Sequence, residues 1–325
     1  MRRALLLLSL LLPAIAMAQE APWPNRPITL LGGFPNSSGV EIYQRRLAEP
    51  LTRALGVPVV VDNRVGAGGN IASAMVARAR PDGYLFLLGT AGTHAINAML
   101  YRNLGFDPLR DVTHIAHLGD VPNVLLVNAK LHPEWRTCPD VVAAARARPG
   151  ALSYASTGNG ASTHLAGVLF SRATGTEMLH VPFGGQPMAV TSLLNGSVDI
   201  FFNQVGPAIG LIQSGDVRAL GVTTSVRVQA LADVPTVAEA CNLPGFESST
   251  WYGVFGPPNL PAPIQQRMAT EINRIISEPG FREWLVANQG IVPPTATTPE
   301  AFRDVHRQDI ERWGRAVRDS GATVD

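Results

Sequence analysis

Short apolar runs alternate along this chain with segments whose apolar residues return every three or four positions. PITLLGGF (27–34) is a continuous apolar run of strand length, and VEIYQRRLAEPLTRALG (40–56) sets Ile42, Leu47, Leu51 and Leu55 at helical spacing before stopping at Gly56. VPVVVDN (57–63) predicts a valine-rich strand, GAGGN a turn, IASAMVARAR (71–80) a helix halted by Pro81-Asp82-Gly83, and YLFLLGT (84–90) another strand. The alternation resumes near residue 123 with strand NVLLVN, helix PDVVAAARAR carrying Pro139 in its first turn, strand LSYAS, helix THLAGVLFSRA, and strands VDIFFNQ and RALGVTT. A strand TWYGVFG and two amphipathic helices, around 264–277 and 299–320, follow. Such alternation predicts an α/β protein of two lobes, each a mainly parallel sheet flanked by helices. The late strand and helices are expected to return to the first lobe, which assigns 24–123 and 248–325 to lobe 1 and 124–247 to lobe 2. No Ser/Gly-rich linker separates the halves, so the lobes are expected to lie against each other.

The opening MRRALLLLSLLLPAIAMAQE breaks the pattern. Two arginines precede an apolar run, Ala4 to Ile15, too short to cross a bilayer, and Ala16-Met17-Ala18 is a small-x-small cleavage site. Residues 1–18 therefore predict a secretory signal peptide, and a mature chain that begins near Gln19, exported to the periplasm and soluble. No cysteine follows that site to take a lipid anchor. Export changes the reading of the two cysteines, Cys138 and Cys241: one disulfide, or two buried thiols, fits an even count in an oxidising compartment. Net charge is +1 over 325 residues and becomes −1 without Arg2 and Arg3, which leaves no basic field for nucleic acid or an anionic membrane.

Candidate chemistry is concentrated in three glycine-rich turns between strand and helix: FPNSSGVE (34–41), GTAGTH (89–94) and STGNGASTH (156–164). In an open α/β sheet such turns lie at the carboxyl ends of strands, where ligands bind. Each leads into a helix start with unpaired N–H groups and the positive end of the helix dipole. Catalysis fits poorly, because the chain has no G-x-S-x-G elbow and Ser162 and His164, two apart, fall on different helix faces. Ser162 reads as a helix cap and His164 as a first-turn residue. GNGAST fails the dinucleotide pattern at Thr163, and no P-loop string occurs. His114 and His117 form H-x-x-H in an extended segment, where residues three apart face opposite ways, so they read as histidines on ordinary surfaces rather than as metal ligands. Anion capture remains. A charge-assisted hydrogen bond contributes about 1.5–3 kcal/mol, and a micromolar dissociation constant needs only about 8 kcal/mol. A few loop N–H and hydroxyl donors suffice without an arginine.

The string of motifs resembles the periplasmic solute receptors of tripartite tricarboxylate transporters, the TctC or Bug family, over almost all of the mature chain. It is carried by WPNRPITLLGGFP, VVVDNRVGAGGNIASAMVARARPDGYLFLLG, FDPLRDV, YASTGNGASTHLAGVLF, HVPFGG, LLNGSVDIFF, RALGVTT, ADVPTVAEA and PGFESSTWYGVFGP, in family order. The resemblance implies a Venus-flytrap, type II-like periplasmic-binding-protein fold, monomeric and without cofactor, metal or catalytic activity. It further implies a small organic carboxylate as ligand and integral membrane transporter subunits as partners. One ligand carboxylate is then held by two facing loops, Phe34, Ser37, Ser38, Gly39, Val40 and Glu41 from one lobe, and Ser156, Thr157, Gly158, Gly160, Ser162 and His164 from the other. Thr90, Thr93, Phe183 and Asn203 would line the rest. The chain departs from the family pattern where Ser37-Ser38 replace a glycine pair, Glu41 replaces an aspartate, and Asn203 stands where aspartate is frequent. Glu41 has two readings: a ligand contact by family analogy, or the closing residue of an S-x-x-E capping box with Ser38. Two other functions fit the same features: a cofactor-independent enzyme on a small acid, and a receptor that presents its ligand to a sensor kinase.

Overall fold

A computed structural model describes residues 22–320, so the expected signal peptide lies outside the described residues. Ten strands occur among the described residues: β1 (Ile28–Gly32), β2 (Val59–Asn63), β3 (Leu85–Thr90), β4 (Thr113–Val121), β5 (Asn123–Asn128), β6 (Ser153–Ser156), β7 (Leu179–Pro182), β8 (Ile200–Gln204), β9 (Val217–Val222) and β10 (Thr250–Gly256). The α-helices are α1 (Gly39–Leu55), α2 (Asn70–Ala77), α3 (Asn97–Leu100), α4 (Cys138–Ala147), α5 (Ser162–Thr174), α6 (Gln186–Leu194), α7 (Val205–Gln213), α8 (Val237–Ala240), α9 (Ala262–Ser277), α10 (Pro279–Glu283) and α11 (Pro299–Ser320).

The strands form two five-stranded sheets, ordered β2-β1-β3-β10-β4 and β7-β6-β8-β5-β9. Four strands of each sheet run the same way, as a mainly parallel sheet requires, and one strand, β10 or β5, runs against them. β1 runs parallel to β2 and β3, but β10 is antiparallel to β3 and β4. Likewise β6 is parallel to β7 and β8, but β5 is antiparallel to β8 and β9. The chain leaves the first lobe along β4, crosses at Pro122 into β5, and returns along β10. A strand buried on both faces reads as a continuous apolar run whichever way it points, so the pattern carried no sign of direction.

Helices cover both faces of each sheet, as the strand alternation requires. Consecutive residues of a strand point to opposite faces: Phe201 packs with Leu193 and Val205, and Phe202 with Val141 and Phe170. Helix α1 starts at the N-cap Ser38, buries Tyr43, Leu47, Leu51 and Leu55 against the first sheet, and ends at Gly56 in the left-handed region. Each buried leucine contributes about 1.5–3 kcal/mol. Cys138 at the start of α4 and Cys241 after α8 form a disulfide, with Cα atoms 5.3 Å apart across 103 residues of sequence.

The histidines of H-x-x-H are buried, not on ordinary surfaces as the sequence suggested. Both lie on β4 (Thr113–Val121), where the pairing with β10 shifts register at Ile115, a β-bulge. The extra residue brings His114 and His117 to the same side, with ring centroids 5.4 and 5.5 Å from Phe302. His114 Nε2 lies 2.8 Å from His306 Nδ1, and His306 Nε2 lies 2.9 Å from the His94 carbonyl.

Candidate functional site

The carboxyl ends of β1, β3, β6 and β8, two from each sheet, meet around one cleft. Lobe 1 lines it with Phe34, Pro35, Ser38, Val40, Gly68, Thr90 and Gly92, and lobe 2 with Thr157, Ala161, Ser162, Gly185, Gln186, Asn203 and Gln204; Thr250 and Tyr252 reach it from β10. None of these side chains carries a charge. Two helix N-termini, those of α1 and α5, meet there from opposite lobes, and the first N–H groups of each have no carbonyl to bond within their helix.

The α1 turn is built by local chemistry. Ser37 adopts a positive φ of 66°, Ser38 N–H donates to the Pro35 carbonyl at 3.2 Å, and Ser38 Oγ accepts from Glu41 N–H at 3.2 Å. The Glu41 carboxylate folds back, but onto the Ser37 N–H at 3.2 Å rather than that of Ser38, whose hydrogen is already taken by Pro35. Its other oxygen pairs with the Arg45 side chain, and Glu41 is buried outside the cleft lining.

The α5 turn is held differently. Ala161, not Ser162, is the N-cap, and Ser162 is the first helical residue, its hydroxyl bound to no cap. Thr163 does the stitching: its Oγ1 accepts from Thr157 N–H at 2.9 Å. Ser156 Oγ is fully buried between the Gly158 backbone and His180 Nε2, 2.7 Å away. His164 Nδ1 accepts from Gly160 N–H at 3.3 Å, and its ring stacks on His180 with centroids 3.9 Å apart. Desolvation, then the neighbouring His180, holds His164 down to about 3, and desolvation holds His180 down to about 4. Both rings are therefore neutral, and Nδ1 of His164 stays free to accept.

Of the residues the sequence pointed to, Phe34, Ser38, Val40, Thr90, Thr157, Ser162 and Asn203 line the cleft. Gly39 lets the lobes approach, since a Cβ there would sit against the Gln204 amide. Ser37, Glu41, Ser156, Gly158, Gly160 and His164 shape the turns from behind. Thr93 exchanges hydrogen bonds with Thr90, N–H to Oγ1 in both directions at 3.0 and 3.2 Å. Phe183 packs against the lobe 2 core. Pro35, Gly92 and Ala161 also line the cleft and lie within the three turns the sequence singled out, whereas sequence reasoning missed Gly68, Gly185, Gln186, Gln204, Thr250 and Tyr252. Gly185 closes HVPFGG and Gln186 follows it at a strand-to-helix turn, a signal available in principle; nothing in TWYGVFG shows that Thr250 and Tyr252 face a cleft. On the fully buried side, Asn203 has no partner for either amide atom, and neither does Thr250 Oγ1. Among the described residues no group of three or more His, Cys, Asp and Glu is placed to hold a metal ion.

Comparison with known proteins extends this picture. A family model described as the tripartite tricarboxylate transporter family receptor matches residues 43–322. A protein of Pseudomonas sp. (strain P51), described as the UPF0065 protein in the tcbD-tcbE intergenic region, is 37% identical over 295 residues, 91% of this chain and 86% of that protein. Among solved structures, R. palustris Rpa4515 with adipate superposes with a TM-score of 0.88 at 32% identity, over 93% of this chain and 100% of that one. The periplasmic binding protein BugD superposes with a TM-score of 0.85 at 31% identity, over 93% of this chain and 99% of that one. With its two α/β lobes and the cleft between their strand ends, this chain belongs to the tripartite tricarboxylate transporter family of receptors, the TctC or Bug family.

Proposed function

We propose that this protein is a periplasmic solute receptor that closes on a small organic carboxylate and delivers it to the integral membrane subunits of a tripartite tricarboxylate-type transporter. The observation that carries the reading is the meeting of two helix N-termini from different lobes, α1 with Ser38 and α5 with Ser162, at one cleft lined by uncharged side chains. Oriented N–H groups and hydroxyls suit a carboxylate at such a place. Rpa4515, similar in fold and sequence, was solved with adipate. In this reading 24–123 with 248–325, and 124–247, move as two bodies, and only the closed arrangement lets both turns touch one carboxylate. The Ser156–His180 pair does not favour an enzyme, because Ser156 is fully buried and lies outside the cleft lining.

Mass spectrometry of small molecules released from purified protein identifies the ligand. Calorimetry and small-angle scattering with that compound then test binding and closure. A radius of gyration unchanged at saturation, or release of no organic acid together with no binding of any, would defeat the proposal.

A further inference from the structure

Resting on that receptor reading, we propose that Asn203 selects the far end of the ligand. The cleft prefers a carboxylate whose other end bears one neutral group that both donates and accepts hydrogen bonds, a hydroxyl or a primary carboxamide, over one ending in a second carboxylate or an ammonium. Asn203 sits at the end of β8, just after the core residues Phe201 and Phe202, so its backbone is fixed. Its side chain is 0% exposed and lines the cleft, yet neither Nδ2 nor Oδ1 has a partner among the described residues. Exchanging the amide nitrogen and oxygen leaves that inventory unchanged. Thr250, 2% exposed and lining the same cleft, has its Oγ1 equally unpartnered.

Buried polar groups in folded proteins find partners, and leaving one unmade is costly. An amide offers two donors and an acceptor, and a threonine hydroxyl offers both roles. A carboxylate only accepts: it satisfies Nδ2 and sets its charge against Oδ1. An ammonium only donates: it satisfies Oδ1 and faces Nδ2. A hydroxyl or carboxamide satisfies both sides at once. No ionised side chain lines the cleft to neutralise either charged alternative, and the nearest carboxylate in the α1 turn, Glu41, is turned away and paired with Arg45.

The test is calorimetry with matched acids of four and six carbons whose far ends are methyl, hydroxyl, carboxamide, carboxylate or ammonium. The wild-type protein should bind the hydroxyl- or carboxamide-ended acid at least tenfold more tightly than the diacid or the ammonium-ended acid of the same length. Asn203→Asp should move the ammonium-ended acid up at least tenfold relative to the others. Asn203→Ala should shrink the preference for the hydroxyl- or carboxamide-ended acid over the diacid to threefold or less, and it carries the test if a buried aspartate fails to fold in a circular-dichroism melt. Tightest binding of the diacid or the ammonium-ended acid by the wild type, or equal binding of all, overturns the inference and leaves the receptor reading standing. Failure of every acid in the set to bind overturns this inference, and the receptor reading falls with it only if the purified protein also releases no organic acid.

Discussion

Leu165→Ala removes the most deeply buried of the side chains through which α5 packs against the other lobe, the others being Val168 and Leu169. Leu165 lies on the helix that brings Ser162 to the cleft, but it does not line the cleft itself. It is 2% exposed in a cluster with Ala95, Ile96, Leu100, Trp313 and Val317, all of lobe 1. If opening the cleft parts these surfaces, Leu165 is buried only when the lobes are closed. Burying a leucine contributes about 1.5–3 kcal/mol, so its loss should shift the closed-to-open ratio by roughly 10- to 150-fold. A ligand that binds only the closed state then binds more weakly by up to the same factor. The lobes' own cores keep their packing, so thermal stability should fall by less than the 2–5 kcal/mol usual for a core Leu→Ala change. Calorimetry with the released ligand measures affinity, scattering of the ligand-free protein measures opening, and Leu165→Met, which conserves volume, should restore most of both. Wild-type affinity within twofold, alongside a large loss of thermal stability, would refute the reasoning: the cluster would then be permanent core and not a contact made on closure.

Other outcomes follow from the same geometry. Ser162→Ala should weaken carboxylate binding by about 1 kcal/mol while leaving the melting temperature nearly unchanged, because Ala161 holds the cap position; a lowered melting temperature with intact binding would reverse that assignment. Glu41→Gln should cost little affinity for a monocarboxylate, since a glutamine oxygen still accepts from Ser37 N–H and the lost pair with the exposed Arg45 is worth about 0–1 kcal/mol; abolished binding at unchanged stability would make Glu41 a ligand contact. Replacing Cys138 and Cys241 with serine opens a loop closed across 103 residues and should lower unfolding free energy in urea by about 2–5 kcal/mol; an unchanged midpoint and slope would exclude a stabilising role. His114 and His164 are held down to about 3 and His180 and His306 to about 4, chiefly by desolvation, against an ordinary value of 6.5. The unfolded chain therefore takes up these protons first: the stability from the neutral rings is full above about pH 6.5 and drains as pH falls towards 4 and then 3, so urea midpoints should decline from pH 7 to pH 4, and a flat profile would show that these rings are not buried neutral.

What the sequence determined by itself was local and periodic. Helix α1 was legible from Ile42, Leu47, Leu51 and Leu55, and its start from Ser38 three residues before Glu41, because helix period and cap chemistry act within a few residues. The strands other than β7, the two-lobed plan and the polar turns at the strand ends were legible for the same reason; β7, LHVP with no buried residue, offers no apolar run to read. The tertiary structure decided whatever depends on residues far apart in the chain. The antiparallel course of β5 and β10 depends on where the chain crosses between lobes, which apolar content does not encode. The bulge at Ile115 depends on pairing with a strand well over a hundred residues later, and it turned two histidines expected on surfaces into neighbours in the core. Cys138 and Cys241 became a pair only when α4 and α8 packed together. The capping of α5 fell to Ala161 and Thr163 rather than Ser162, because the backbone path from Gly158 to Gly160, both at positive φ, fixed which atoms could reach. Thr250, Tyr252 and the unpartnered amide of Asn203 became parts of one cleft only when β8 and β10, in different sheets, were brought together; proximity between distant segments is a product of packing, and no local pattern records it.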